Sequence, residues 1–298
     1  AYRRRMERVA FESTAIELYA SRSSWDATAA DLVRTMLERW GLVPGAAFVG
    51  GEAASVLNVT TGDGIEAVLK VGFPHVEAVG EAIALESWGH GLAPRVLRQD
   101  PWTWSMLLER LRPGTSLRES SLPTLERVRI GSDLLRRVSS VTAPPGIPSV
   151  TEIAGLYLSD ARARLPDQHP ALFVFVTRDP VRSALAVLEN LAASDSGTGL
   201  VHGDLNPNNV LESQGRWMVI DPKPMAGGPE FDVWPLVTQL GDLRDIDQRL
   251  AVTGFTSDRT VLWGIARSAL DVTWALMDSR PATEAVRVLR AWMRLSGA

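Results

Sequence analysis

The chain has 298 residues, of which 45% are hydrophobic, and a formal net charge of −4 at pH 7. This length can bury a substantial core and favours two structural units, while the charge gives no case for nucleic-acid binding. The lack of cysteine excludes disulfides, thiolate metal sites and cysteine nucleophiles. No apolar run approaches the roughly 18 residues that span a membrane, and no apolar signal core opens the sequence, so a cytoplasmic location is expected.

The first part of the chain predicts a small antiparallel sheet with one principal helix. A helix is expected over residues 26–40, ahead of the sheet. Apolar residues at helical spacing between residues 75 and 88, followed by glycine, indicate the principal helix. Five runs have strand character, near residues 46–50, 54–60, 65–71, 92–98 and 103–111.

From Pro113 onwards the sequence is mainly helical in character. Six helices are expected, over residues 122–141, 151–164, 180–193, 230–240, 260–278 and 281–295. The change divides the chain into an N-terminal lobe, residues 1–111, and a larger helical C-terminal lobe, residues 112–298. The expected fold class is therefore α+β with two lobes, and a nucleotide is expected in the cleft between them.

One segment of the helical half carries reactive residues at an informative spacing. Residues 201–211 read Val-His-Gly-Asp-Leu-Asn-Pro-Asn-Asn-Val-Leu and match the pattern His-x-Asp-x-x-x-x-Asn. In kinase-type phosphotransferases the Asp of this pattern accepts the proton of the acceptor hydroxyl, and the Asn holds Mg²⁺. Asp204 and Asn209 occupy these positions, and His202 is expected to support the loop. The apolar run at residues 217–220 predicts a short strand that leads to Asp221. Asp221 is the candidate for a second metal-binding carboxylate, although an Asp-Pro there is most often a turn former.

Lysine usage favours the same chemistry. Of the 31 basic residues only Lys70 and Lys223 are lysines, so a lysine retained in this arginine-biased chain suggests that a compact point charge is needed. Lys70 ends a predicted strand, where kinases keep the lysine that contacts the α- and β-phosphates. Glu81 on the next helix is the preferred ion-pair partner and Glu77 the second candidate. Either glutamate is also explained as a solvated helix charge.

Two further segments are candidates for nucleotide contacts. A pair of glycines ending at Gly51 precedes a strand that Ser55 enters, and backbone amides in such a turn can approach phosphate oxygens. Adjacent glycines more often form an ordinary hairpin turn. At the end of the fifth predicted strand, which is the expected hinge, Glu109 and Leu111 are candidates to meet the adenine.

These residues resemble those of the aminoglycoside phosphotransferase group of kinase-like enzymes, and most closely the streptomycin 6-kinase and hydroxyurea kinase family of antibiotic-resistance phosphotransferases. The similar stretches are residues 105–111, 143–146, 202–211 and 220–235. The last stretch is the most specific, since its Asp-Pro-x-Pro and Phe-Asp-x-Trp-Pro pieces are hallmarks of that family. The resemblance extends from about Ile16 to near the C-terminus.

The resemblance implies a two-lobed protein-kinase-like fold and transfer of the γ-phosphate of ATP to a hydroxyl, with Mg²⁺ as cofactor and GTP as an open alternative to ATP. It gives Asp204 the role of catalytic base and Lys70 the contact with the phosphates. Asn209 and Asp221 become the metal ligands. Asp232 becomes the buried acid that braces the catalytic loop, although a charge at a helix N-terminus explains it equally well.

The acceptor side is less well defined by the sequence. The predicted helix over 260–278 aligns Asp271, Trp274 and Asp278 at spacings of three and four residues. Asp271 and Trp274 lie where streptomycin-kinase-like chains keep their substrate-side helix, and carboxylates there would suit a polycationic acceptor. A solvated acidic face with a core tryptophan is at least as good an explanation. Asn206 stands where many relatives carry His or another residue, which leaves the acceptor open.

Three functions are consistent with these features. The first is a small-molecule kinase that phosphorylates an aminoglycoside or aminocyclitol antibiotic. The second is a kinase of the same fold that acts on hydroxyurea or on a metabolic sugar or amino sugar. The third is a nucleotide-binding scaffold without turnover, which the intact reactive residues disfavour. A protein kinase is not expected, because Asp-Pro-Lys at residues 221–223 replaces Asp-Phe-Gly. The expected partners are a nucleotide and a small acceptor, without nucleic acid or membrane, in a monomer or homodimer.

Overall fold

The protein divides into two compact units by its internal contacts. The computed structural model describes residues 22–48, 53–164, 178–194, 197–277 and 280–297. The first unit comprises Ala1–Ser116, Pro144–Ile147 and Leu211–Pro224, and the second comprises Leu117–Ala143, Pro148–Val210 and Met225–Ala298. The main division therefore follows Ser116, and two short later segments belong to the first unit.

The first unit contains the five-stranded antiparallel sheet that the sequence predicts. Helix α1 is Arg22–Trp40, and the strands are β1 (Val43–Ala47), β2 (Ala54–Thr60), β3 (Glu66–Gly72), β4 (Val96–Asp100) and β5 (Ser105–Glu109), in the spatial order β1-β2-β3-β5-β4. Successive side chains of a strand point to opposite faces. Leu69 and Val71 of β3 pack in a buried cluster with Met36 of α1, so Lys70 between them is directed to the other face.

The expected helix over residues 75–88 is wrong in its first half. Val76–Ala78 forms a single 3-10 turn, and helix α2 is Glu81–Trp88. Gly80 separates them with a φ of 88°, in the left-handed region that favours glycine, and a Cβ at this position would collide with the side chain of Ile147. Helix α2 consequently begins at Glu81 and carries this glutamate in its first turn.

Short strands lie around the catalytic-loop segment, and the sequence predicted the one before Asp221 but not the others. They are β6 (Pro113–Ser116), β7 (Gly199–Val201), β8 (Val210–Ser213), β9 (Arg216–Val219) and β10 (Met225–Gly227). Strands β6, β8 and β9 form one sheet, and β7 pairs antiparallel with β10, which aligns Val201 with Met225. The segment between Val201 and Val210 is thus anchored by a strand at each end.

The second unit is mainly helical, as expected. Its helices are α3 (Thr124–Ser139), α4 (Val150–Arg164), α5 (Arg178–Ala192), α6 (Val233–Thr238), α7 (Ile246–Thr253), α8 (Asp258–Met277) and α9 (Thr283–Leu295). The single helix expected over 230–240 is replaced by the 3-10 turn Pro229–Asp232 and the short α6, and α7 was not predicted. No helix in the described part of the chain is both long and apolar enough to cross a membrane.

Candidate active site

Lys70 forms the centre of a charged cluster in the first unit. Its Nζ donates hydrogen bonds to Oε1 of Glu81 and to Oδ1 of Asp221, each at 2.5 Å. Glu81 is the partner that the sequence prefers, and it reaches Lys70 because α2 begins there. Glu77, the second candidate, lies instead with Oε2 3.7 Å from Nζ of Lys223. The 3-10 turn that holds Glu77 ends before the helix that faces Lys70, which explains the difference.

The electrostatics of this cluster follow from one buried ammonium shared by two carboxylates. Burial opposes the charged form of Lys70, but Glu81 and Asp221 outweigh it and hold the pKa of Lys70 above its ordinary value. Burial raises the pKa of Glu81 to about 7, and Asp221 adds to this effect while Lys70 opposes it. Lys70 therefore remains protonated at physiological pH.

Asp221 combines an exposed side chain with an unusual backbone conformation. Its side chain is 57% exposed, and its φ is 55°, in the left-handed region that few residues other than Gly, Asn and Asp adopt. Asp221 follows shortly after the end of β9 and precedes Pro222. The Asp221 carboxylate is therefore partly exposed to solvent while Lys70 binds one of its oxygens.

The other nucleotide candidates in the first unit are placed as follows. Ser55 lies half-buried in β2, opposite Val71 in the register of β2 and β3, whereas Gly51 lies outside the described residues. The Glu109 side chain accepts hydrogen bonds from the backbone N–H of Arg95 at 3.2 Å and from its Nε at 3.3 Å. Glu109 thus ties β5 to the segment before β4. Leu111 is buried.

The catalytic-loop segment in the second unit leaves β7 at Val201. His202 is completely buried, and its Nδ1 accepts a hydrogen bond from the backbone N–H of Asp204 at 3.3 Å. An Nδ1 that accepts leaves the proton of neutral imidazole on Nε2. Gly203 has a φ of 81° and donates its N–H to Oδ2 of Asp232 at 3.0 Å. The backbone leading to Asp204 is therefore fixed from two sides.

Two asparagines contact Asp204 directly. Nδ2 of Asn209 donates to the backbone carbonyl of Asp204 at 2.9 Å, and Nδ2 of Asn206 donates to its carboxylate Oδ1 at 3.1 Å. Oδ1 of Asn206 accepts from the N–H of Asn208 at 2.9 Å, which fixes which end of the amide faces Asp204. The structure thus places Asn206, the candidate substrate residue, against the carboxylate of the candidate base.

Asp232 lies at the N-cap position of α6 but makes no cap hydrogen bond there. Its side chain is completely buried and accepts from Gly203 instead. Burial raises the pKa of Asp232, while the nearby His202 and Arg267 oppose the rise. Of the two explanations that the sequence allowed, these contacts favour the acid that braces the loop.

The acceptor candidates lie on α8. Burial raises the pKa of Asp271, and Arg280 and Arg267 oppose the rise, so this carboxylate has cationic neighbours already. The Trp274 ring packs edge-on against Tyr157, with centroids 5.4 Å apart. Asp278 lies outside the residues whose side chains are described. The three residues that the sequence aligned are therefore not shown to form an open acidic face.

Sequence reasoning missed Arg267, which also lies on α8. Its Nη1 donates to the carbonyl of Gly203 at 3.3 Å, and its guanidinium lies 4.4 Å from the centroid of the Phe231 ring. The available signal was a single arginine within an otherwise apolar helical stretch, one turn before Asp271. The two clusters, one around Lys70 and one around Asp204, belong to different units.

Comparison with known proteins gives a consistent family. The family model described as aminoglycoside/hydroxyurea antibiotic resistance kinase matches residues 39–272. A hydroxyurea phosphotransferase from Kitasatospora aureofaciens is 34% identical over 261 residues, covering 84% of this chain and 74% of the relative. A streptomycin 6-kinase from Streptomyces glaucescens is 32% identical over 282 residues, covering 90% of each.

Solved structures agree on the fold. Choline kinase LicA from Streptococcus pneumoniae superposes with a TM-score of 0.62 at 16% identity, covering 90% of this chain and 99% of that one. At this identity the likeness concerns the fold alone, and it confirms the kinase-like α+β class. Because the family model spans most of the chain and both sequence relatives are phosphotransferases, the chain belongs to the aminoglycoside/hydroxyurea antibiotic resistance kinase family and is a phosphotransferase with a hydroxyl acceptor.

Proposed function

We propose that the protein transfers the γ-phosphate of ATP to a hydroxyl of an aminocyclitol antibiotic of the streptomycin type. The observation that carries the reaction is the arrangement around Asp204, whose carboxylate and backbone carbonyl each accept a hydrogen bond from an asparagine amide. The acceptor class is supported by the streptomycin 6-kinase relative, which aligns over 90% of both chains. The chain belongs to a family of phosphotransferases, which argues against a nucleotide-binding scaffold without turnover.

Asp204 acts as the general base in this proposal. Asn206 holds Oδ1 of its carboxylate, so the second oxygen takes the defined orientation that proton abstraction from an acceptor hydroxyl requires. As the new phosphorus–oxygen bond forms, the hydroxyl proton passes to Asp204. The bond between the β- and γ-phosphates breaks at the same stage, and ADP leaves.

Lys70 supplies the fixed positive charge for the nucleotide. Its ion pair with Glu81 is buried, and its raised pKa keeps it protonated. A positioned cation at the α- and β-phosphates stabilises the charge that the leaving ADP gains. Asp221 shares Lys70 with Glu81, so this lysine also connects the nucleotide to a candidate metal ligand.

Asn209 and Asp221 are the residues that would hold Mg²⁺. The donor set fits, because Mg²⁺ prefers carboxylate and amide oxygens, and the Asn209 amide directs its nitrogen to the Asp204 carbonyl, which leaves its oxygen as the group for a metal. When bound, Mg²⁺ neutralises charge on the β- and γ-phosphates.

Hydroxyurea is the second candidate acceptor. The hydroxyurea phosphotransferase relative is 34% identical, and Asp271 has two arginines in its electrostatic surroundings. A carboxylate with cationic neighbours attracts a polycation less strongly than an isolated one does. A small neutral acceptor with a hydroxyl group would not need that attraction.

The proposal is tested by coupled nucleotide consumption with purified protein. Streptomycin, other aminoglycosides, hydroxyurea and amino sugars are offered in turn, each with Mg·ATP, with Mg·GTP and with chelator. Streptomycin-dependent ADP release with a phosphorylated product by mass spectrometry supports the first candidate, and hydroxyurea-dependent release alone supports the second. Absence of acceptor-dependent consumption with every compound would refute both.

A further inference from the structure

We propose that Arg267 is a positioning residue for the catalytic loop: its guanidinium holds the peptide between Gly203 and Asp204, and so fixes the direction in which Asp204 leaves the backbone. The inference rests on the proposed role of Asp204 as base. It concerns a residue that lies 63 positions from Asp204 in sequence and is brought to the loop by α8.

The first step concerns the backbone around Gly203. Its φ of 81° is a left-handed conformation, and such a residue redirects the chain sharply. The N–H of Gly203 is bound by Asp232, and its carbonyl accepts from Nη1 of Arg267 at 3.3 Å. Because the polar groups on both sides of Gly203 are held, the orientation of the following residue, Asp204, is held with them.

The second step concerns how Arg267 is itself fixed. Its guanidinium lies 4.4 Å from the ring centroid of Phe231 and 5.4 Å from that of Trp234. Phe231 packs edge-on against Trp263 at 5.1 Å, and Nε1 of Trp234 donates to Oγ of Ser268 at 2.8 Å. A planar guanidinium stacks on such rings while it donates in its own plane, which an ammonium cannot do.

The third step concerns charge. Asp232 is completely buried, and a buried carboxylate needs a compensating positive group. Arg267 is one of the groups that stabilise its ionised form. Asp232 therefore binds the N–H of Gly203 and Arg267 binds its carbonyl, while the two side chains attract each other. The Gly203 backbone is held between them.

The experiment separates geometry from charge with two substitutions at one site. Arg267→Met removes both the hydrogen bond and the charge, while Arg267→Lys keeps the charge and loses the planar fork. The matched control is Arg290→Met, an exposed arginine on α9. For each folded variant, kcat, the KM of acceptor and nucleotide, and the thermal midpoint are measured with the acceptor that the wild-type protein phosphorylates.

A positioning role predicts a loss in kcat with little change in either KM. We expect Arg267→Met to lower kcat about 100-fold, the effect of a misplacement of about 1 Å at a reacting group, with each KM changed less than about 3-fold. Arg267→Lys should recover the thermal midpoint because it compensates Asp232, yet remain at least about 10-fold low in kcat. Arg290→Met should match the wild type.

Three results would overturn the inference. The first is a folded Arg267→Met variant with kcat within about 2-fold of wild type. The second is an Arg267→Lys variant with full kcat, which would mean that charge alone is required. The third is a rise in acceptor KM at unchanged kcat, which would mean that Arg267 contributes to acceptor binding. If the wild-type protein phosphorylates nothing, the proposed function fails and this inference falls with it. Wild-type turnover together with any of the three results refutes the inference alone.

Discussion

The Lys70 cluster and the Asp204 loop hold their reactive groups by different means. Around the buried Lys70, two carboxylates, that of the buried Glu81 and that of the exposed Asp221, each lie 2.5 Å from Nζ. Around Asp204, the contacts are hydrogen bonds from neutral amides and a glycine backbone held at both ends. A charge cluster tolerates small movements, since Coulomb energy changes slowly with distance, whereas hydrogen bonds lose strength steeply with angle.

We infer from this difference that one region controls ligand binding and the other controls turnover. Residues of the charge cluster should govern binding of nucleotide and metal, which are themselves highly charged. Residues of the hydrogen-bonded loop should govern turnover, because proton transfer depends on alignment. Substitutions in the two regions therefore provide a direct test of the comparison.

The largest contrast is expected from Asp204→Ala. Loss of the base should lower kcat by about 10²- to 10⁴-fold, while stabilisation of the protein by Mg·ATP in a thermal shift stays close to wild type. A variant with near-normal turnover would show that another group is the base. Weakened nucleotide binding would erase the distinction between the two regions.

Asp221→Ala tests metal binding by the Lys70 cluster. Without this carboxylate, the thermal shift that ATP produces should no longer depend on Mg²⁺, because binding energy to the native state appears directly as stability. Addition of chelator to the wild-type protein should reproduce the same loss. A Mg²⁺-dependent shift of wild-type size in Asp221→Ala would place the metal ligand elsewhere.

Lys70→Met tests whether the cluster acts on binding. Loss of a charge-assisted contact with the phosphates should raise the nucleotide KM about 10- to 100-fold. The chain provides a matched control in Lys223→Met, since Nζ of Lys223 lies 3.7 Å from Oε2 of Glu77 in a partly exposed pair, and solvent weakens such a pair. Equal effects of both substitutions would mean that position within the cluster does not matter.

Gly80→Ala has the smallest expected effect and tests the chain break that places Glu81 at the start of α2. A methyl group there would meet the terminal methyl of Ile147 in addition to its left-handed strain, so we expect a loss of about 1–3 kcal/mol in unfolding free energy. Gly41→Ala is the control, because Gly41 follows α1 with a left-handed φ of 62° but has open space around its Cβ, and it should lose only about 1–2 kcal/mol. Urea unfolding measures the free energy of unfolding of both variants. Equal losses would mean that the contact with Ile147 adds nothing to the strain at position 80.

The five-stranded sheet and the Lys70–Glu81 pair could be predicted because both are encoded locally. Alternation in β3 separates Leu69 and Val71 from Lys70, and the next helix supplies a glutamate at a suitable distance along the chain. The boundaries of that helix were wrong, because Gly80 takes a left-handed conformation and ends the 3-10 turn before α2 begins. The terminal methyl of Ile147 fills the space that a Cβ at Gly80 would need. Such long-range contacts leave no trace in local periodicity.

The same reason explains what was missed in the second unit. Strands β7 and β10 have only three residues each, too few to show alternation. In α7, Arg249 is buried and donates to the carbonyl of Val237 at 2.7 Å, although sequence reasoning treats such a charge as solvated. Arg267 was missed similarly, since its partners Gly203 and Phe231 are distant in sequence.

The distribution of the two lysines has a practical consequence for spectroscopy. Lys70 is buried and held protonated, whereas Lys223 is partly exposed and lies two residues after Asp221. Amine-reactive dyes modify accessible amino groups, so among the side chains they should label Lys223 selectively. A fluorophore on Lys223 would lie two residues from Asp221, so its emission should respond to ligand binding at that carboxylate. No cysteine would have to be introduced into this cysteine-free chain.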